Sequence, residues 1–136
     1  MLPKLIIFDV DGLMLDTEAR WQEAWDSVGK RYGVQDLGNT TFLKCVGRNG
    51  KEVEDIVKND LRQFAHPEKI LQEVREYGDE LLKERIDIKK GLMELLRFIQ
   101  SLSIPVAVAT ATDKDTTYQR LSRLQVWDQF DYILCG

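Results

Sequence analysis

Histidine is all but missing from this 136-residue chain, cysteine and proline are scarce, and no apolar run is long. With His66 as the single imidazole, placed before Pro67 between two helical patterns, no histidine-based mechanism is on offer. Cys45 and Cys135 match no metal or redox spacing and read as buried thiols of a reducing compartment. Nothing approaches the ~20 apolar residues of a membrane span. The opening MLPKLIIF is short for a signal peptide and runs at once into acids, so a soluble, cytoplasmic protein is expected. Basic charge is short too. Nineteen Lys and Arg against 23 Asp and Glu leave a net charge of −4, so neither nucleic acid nor a membrane is expected as a partner.

What remains is ordinary globular material, 43% hydrophobic and 31% charged, enough for a real core. Leu5–Phe8 is a continuous apolar run between Lys4 and Asp9, the pattern of a strand buried on both faces of a parallel sheet. From Thr17 the period changes: Trp21, Ala24, Trp25 and Val28 form one helical face, which stops at Gly33. A short helix is expected at Thr41–Cys45. A second amphipathic helix carries Val53, Ile56, Val57, Leu61 and Phe64, and a third, opened by Pro67, carries Ile70 or Leu71, Val74, Tyr77 and Leu81.

After this helical block, KKGLMELLRFIQSL predicts a helix burying Leu92, Leu95, Leu96 and Ile99, and IPVAVAT (104–110) a second buried strand. Thr112 with Asp115 suggests a capping box for a helix through Tyr118, Leu121 and Leu124 or Gln125, and FDYILCG a third strand. Strands alternating with helices mean right-handed crossovers and a parallel sheet, with the helical block inserted after the first strand.

The acid pair in IIFDVDG then needs a reason, because two adjacent carboxylates repel unless a cation or a shared proton holds them. In an open parallel sheet, ligands bind beyond the carboxyl ends of the strands. Asp9 stands at that end of the first strand and Thr110 at that end of the second, ahead of a helix N-terminus suited to a phosphate oxygen. An EF-hand calcium loop also begins Asp-x-Asp, but it requires a glycine at its sixth position and a preceding helix, and neither is present.

IIFDVDGLMLDTE resembles the first motif of the haloacid dehalogenase-like phosphohydrolases, and VAVAT their second. The insertion between the two is similar to that of members whose helical cap lies there. The resemblance implies an α/β fold: a Rossmann-like parallel sheet from residues 1–15 and 89–136, with an all-helical cap domain over 16–88. It implies a phosphatase of a small phosphorylated metabolite such as a sugar phosphate, working through an aspartyl phosphate. Asp9 would attack phosphorus. Asp11 would protonate the leaving oxygen and then take a proton from water. Mg2+ would be held by the Asp9 carboxylate and the Asp11 carbonyl. The Thr110 hydroxyl and the Ala111 amide would bind phosphate, and Gly12 would turn the chain away from the pocket. LKCVGRNG resembles the cap segment of sugar-phosphate-handling relatives, which makes Arg48 a candidate substrate residue. Glu18, in LDTE, is a candidate for setting cap position.

Beta-phosphoglucomutases share this layout but carry a cap-hinge histidine where Trp21 stands, which points away from a mutase. Trp21 and Trp25 themselves read as helix-face core. The family continues past its third strand into a GKP lysine motif and an acidic metal motif. This chain reaches Gly136 before both, so it reads as C-terminally truncated, with an incomplete sheet, weakened turnover and a tendency to self-associate through an open edge. Three further readings stay open: a beta-phosphoglucomutase-like phosphotransferase, a receiver-like signalling domain, and a non-catalytic remnant that binds phosphate or a protein. A receiver places its phosphorylated aspartate after the third strand, where Cys135 and Gly136 stand here, and it has no helical insertion.

Overall fold

The computed structural model describes all residues from Met1 to Gly136. Strands β1 (Ile6–Phe8), β2 (Val106–Ala109) and β3 (Tyr132–Leu134) form one parallel sheet in the order β1-β2-β3. Phe8 lies beside Val108, and Val108 beside Ile133. Six helices accompany them: α1 (Thr17–Arg31), α2 (Thr41–Cys45), α3 (Gly50–Asp60), α4 (Pro67–Glu84), α5 (Leu92–Ser101) and α6 (Lys114–Arg123). The chain divides into two compact units, Met1–Thr17 with Ile86–Gly136, and Glu18–Arg85.

In the α/β unit, strand order follows chain order. Right-handed crossovers therefore bring α5, which leads into β2, and α6, which leads into β3, to the same side of the sheet. Period-two alternation gives that side Phe8, Val106 and Val108, all buried, and Phe8 meets Phe130 edge-on at 6.3 Å. On the opposite side Ala107 of β2 is buried, but its flanking residues are not: Ile7, Tyr132 and Leu134 are 61%, 68% and 72% exposed. This corrects the expectation of a first strand buried on both faces. Double burial of a parallel strand requires helices on both faces, and these two crossovers cover one.

The helices of this unit also differ from expectation in detail. α5 begins at Leu92, after Gly91 in the left-handed region (φ 91°), and it buries Leu92, Leu96 and Ile99 while Leu95 stays exposed. α6 ends at Arg123, so Leu124 and Gln125 lie beyond it, and Tyr118 is exposed, its ring edge-on to Trp127 at 4.9 Å. Leu121 and Thr117 are the residues α6 buries.

Two stretches of this unit pair antiparallel. The Asp16 amide donates to the Asp87 carbonyl and the Lys89 amide to the Met14 carbonyl, each at 2.8 Å, and Lys89 Nζ lies 3.0 Å from Asp16 Oδ1. This pairing holds Asp16, Thr17 and Ile86–Ile88 in the α/β unit.

The helical unit builds its own core from the stripes written in its sequence. Ala24, Trp25 and Val28 of α1, Phe42 of α2, Val57 of α3, and Ile70, Leu71, Val74 and Leu81 of α4 are all buried in it. Burying a side chain of the Leu, Ile, Val or Phe class contributes about 1.5–3 kcal/mol, so the stripes account for why these helices stay together. Trp25 and Phe42 rings lie 6.4 Å apart, and Trp21 packs against the cluster. Pro67 occupies the first turn of α4, where its missing N–H costs nothing. α3 is opened by a complete capping box: the Asn49 side chain accepts from the Glu52 amide, and the Glu52 carboxylate accepts from the Asn49 amide. α3 ends at Asp60, so Leu61 is buried at its C-cap, and Phe64, expected on the helix, sits in the following turn. Cys45 is a buried free thiol pushed upward, first by that burial and then by Asp60.

Candidate active site

Asp9 follows directly on β1. It is exposed, and its Oδ1 accepts from the Val10 amide at 2.9 Å, which leaves the second oxygen to solvent. The alternation of Asp9, Val10 and Asp11 explains the local shape. Val10 is buried between two aspartates that are not, and its carbonyl accepts from the amides of Met14 (2.9 Å) and Leu15 (3.1 Å). Met14 and Leu15 are fully buried and anchor the far side of the loop. The reversal itself needs Gly12, which takes φ 78° and donates to the Leu15 carbonyl at 2.9 Å.

Asp11 is held by two side chains. Thr112 Oγ1 donates to Asp11 Oδ2 at 2.7 Å, and Arg120 Nη1 donates to Asp11 Oδ1 at 3.2 Å. The ion pair is largely shielded, with the arginine side chain 18% and the aspartate side chain 34% exposed. Thr110 follows β2, its amide donating to the Leu134 carbonyl at 3.0 Å. Its hydroxyl accepts from the Thr112 amide at 3.2 Å, so the hydroxyl proton stays free to be donated elsewhere. Ala111 is exposed between these threonines.

The N-cap of α6 is Asp113, not Thr112 as expected. The Asp113 carboxylate accepts from the Thr116 amide at 2.9 Å, and that bond, followed by one from the Thr116 side chain, holds its carboxyl below the usual range. Thr112 is displaced from the cap because its hydroxyl is committed to Asp11.

The oxygen donors here suit a hard cation. Asp9 has an unengaged carboxylate oxygen, and the Asp11 main-chain carbonyl accepts no backbone hydrogen bond. No cluster of three or more acids, histidines or cysteines converges anywhere in the chain. A pair of donors fits Mg2+, which keeps several waters and takes one or two carboxylates plus substrate phosphate.

The two remaining candidates lie in the helical unit. Glu18 is exposed in the first turn of α1. Arg48 is exposed between α2 and α3, with Nη1 3.6 Å from Glu52 Oε1. His66 is an exposed N-cap residue of α4, 3.4 Å from Glu68.

Thr112 and Arg120 were missed by the motif reading. A signal for the arginine existed. Thr117, Arg120, Leu121 and Leu124 fall at i, i+3, i+4 and i+7, so a cation sits within the inward stripe of α6. An arginine in such a stripe needs an anion to meet it.

Known proteins place this chain in a family. The family model described as haloacid dehalogenase-like hydrolase matches residues 6–136. A phosphorylated carbohydrates phosphatase of Thermotoga maritima is 32% identical over 96% of this chain and 60% of its own length. A phosphoglycolate phosphatase of Nitrosococcus oceani is 29% identical over 98% of this chain and 61% of its own. Among solved structures, a hydrolase of the same family from Deinococcus radiodurans, crystallised with phosphate and sodium, superimposes with a TM-score of 0.78 at 16% identity. That superposition covers 97% of this chain and 57% of the other. The chain thus spans about three fifths of the length of the curated relatives it matches. With the family match running from the first strand through the last, the chain belongs to the haloacid dehalogenase-like hydrolases.

Proposed function

We propose that this chain carries the nucleophile, the proton carrier and a phosphate-binding hydroxyl of a Mg2+-dependent phosphatase acting on a small phosphorylated metabolite, in the class of sugar phosphates. The observation that carries the reading is the exposed Asp9 carboxylate at the carboxyl end of β1. Beside it, β2 leads into Thr110, and Asp11 is clipped between Thr112 and Arg120. Asp9 attacks phosphorus, and the bond to the ester oxygen breaks as Asp11 gives that oxygen a proton. Water then attacks the aspartyl phosphate. Its proton passes to Asp11, the bond to Asp9 breaks, and inorganic phosphate leaves. Thr110 donates to a phosphate oxygen, with the Ala111 amide as a second donor. Asp9 and the Asp11 carbonyl would hold Mg2+, which would supply charge neutralisation for the phosphoryl group. On their motif resemblance, Arg48 is proposed as a substrate residue and Glu18 as one that sets cap position.

The names of the relatives support this class: one acts on phosphorylated carbohydrates and one on phosphoglycolate. The test is 19F NMR of the chain with Mg2+ and beryllium fluoride, a phosphoryl mimic that needs no turnover. Bound fluoroberyllate resonances are expected with the parent and not with Asp9→Asn. Equal signals from both, or none from the parent, would overturn Asp9 as the phosphoryl acceptor.

A further inference from the structure

We infer that Arg120 is a positioning residue for Asp11, and that it acts chiefly in the second half-reaction, when water attacks phosphorylated Asp9. The inference rests on the reading of Asp9 and Asp11 proposed above. Its own basis is the clip. A carboxylate bonded through one oxygen can still swing about its side-chain torsions. Asp11 is bonded through both, to groups from two different places: Thr112 in the loop after β2, and Arg120 toward the C-terminal end of α6. Two donors on two oxygens fix the plane of the group. One of those donors is a cation, and a charge-assisted bond is stronger than a neutral one.

Arg120 is also an uncommon place to spend an arginine. A basic residue near a helix C-terminus is favourable to the dipole when it is solvated. Arg120 instead turns inward beside buried Leu121 and Thr117, and leaves less of its side chain to water than Asp11 does. Holding a long side chain in one geometry costs rotamer freedom, and an isolated surface pair returns little for it. The shielded pair with Asp11 gives that placement a purpose.

The clip also separates the two half-reactions. In both bonds the Asp11 oxygens act as acceptors, and each keeps a further lone pair held in a fixed plane. That suits the step in which water attacks phosphorus, its proton moves to Asp11, and the phosphorus–oxygen bond to Asp9 breaks with its electron pair returning to the Asp9 carboxylate. A general base must keep its oxygen within ~2.6–3.2 Å of the water it deprotonates. Loss of Arg120 frees the carboxylate to rotate and slows this step.

The experiment loads Asp9 with acetyl phosphate and Mg2+, removes the donor, and follows decay of the aspartyl phosphate by mass spectrometry. Arg120→Met is expected to lengthen the half-life about tenfold, part of the ~10²–10⁴ that general-base catalysis contributes. Arg120→Lys restores most of the rate. In an Asp11→Asn background, Arg120→Met adds nothing, because its effect passes through Asp11. A half-life equal to the parent's, or a further lengthening in the Asp11→Asn background, would refute the positioning role. A parent that never acquires phosphate on Asp9 would overturn the nucleophile reading and this inference with it. Phosphate that forms and decays alike in parent and Arg120→Met would overturn this inference alone.

Discussion

Val74 and Ile7 are both β-branched aliphatic residues inside regular structure, yet Val74 is 1% exposed and Ile7 61%. The contrast runs through the two units. The helical unit buries its stripes against one another, because each amphipathic helix finds its partners within 68 consecutive residues, Glu18–Arg85. A parallel sheet is different. Each strand has two faces, and a covering layer arrives only with a crossover on that side. In the α/β unit both crossovers fall on one side, so Ile7, Tyr132 and Leu134 face solvent. The groups proposed for chemistry, Asp9, Asp11 and Thr110, all belong to this more open unit. The better-packed unit is not the one that carries the groups proposed for chemistry.

Paired truncations sharpen this contrast most. Leu61→Ala removes a buried side chain from the helical core and is expected to cost about 2–5 kcal/mol, cavity included. Ile7→Ala trims an exposed one and is expected to cost under ~0.5 kcal/mol. Urea unfolding of the two variants decides it. A cost for Ile7→Ala comparable to that of Leu61→Ala would show that the open sheet face is covered in solution.

Gly78→Ala probes the tightness of the helical unit directly. A Cβ at Gly78 would overlap the Trp21 ring at Cζ3, so the ring must move. A loss of about 1–3 kcal/mol is expected for such overpacking. Trp21→Leu in the same chain should recover part of it. No recovery in the double variant would mean that the loss does not come from that contact.

On the open face the expected change is in association more than in stability. Ile7 on β1, and Tyr132 and Leu134 on β3, flank β2 next to unpaired strand edges, and a second copy of the chain is expected to pair there. Light scattering of the parent is expected to show mass rising with concentration. Tyr132→Lys with Leu134→Lys should hold the chain monomeric, with a stability change within ~0.5 kcal/mol. A parent that stays monomeric across the same range would end the self-association reading.

How much of this could be read from sequence depends on where each answer is stored. Helix faces are local: the spacing of Ala24, Trp25 and Val28, or of Ile70, Val74 and Leu81, is enough to name the buried side, and these residues are buried. Parallel order follows from alternation, and β1, β2 and β3 do lie in that order. Sheet burial is not local. The run Leu5–Phe8 looks the same whether one helix layer or two will cover it, so Ile7 was misread. Leu95 failed for a related reason, since an apolar stripe shows which residues could be buried but not how wide the covered strip is. For the candidate site, Asp9, Asp11 and Thr110 can be named from sequence because motif and strand end coincide. Arg120 lies 109 positions from Asp11, and only the fold brings them within 3.2 Å.

The smallest expected effect compares one helix cap from each unit. Asn49 caps α3 with a neutral side chain, and Asp113 caps α6 with a charged one. The Thr116 amide holds the Asp113 carboxyl below its usual range, so the folded state favours the ionised form more than the unfolded chain does. The sign follows from proton linkage. This stabilisation is fully present above the unfolded value and is lost as pH falls through the lowered folded value. Asp113→Asn keeps a competent cap without the charge. Its melting temperature should therefore lie slightly below the parent's at neutral pH, and the gap should close in strongly acidic solution, below the ordinary aspartate range. Asn49→Asp would install the same dependence in α3, where Asn49 now gives none. A gap between parent and Asp113→Asn that stays constant from neutral to strongly acidic pH would mean that the charge on Asp113 contributes nothing to α6. The two caps would then differ in residue but not in kind.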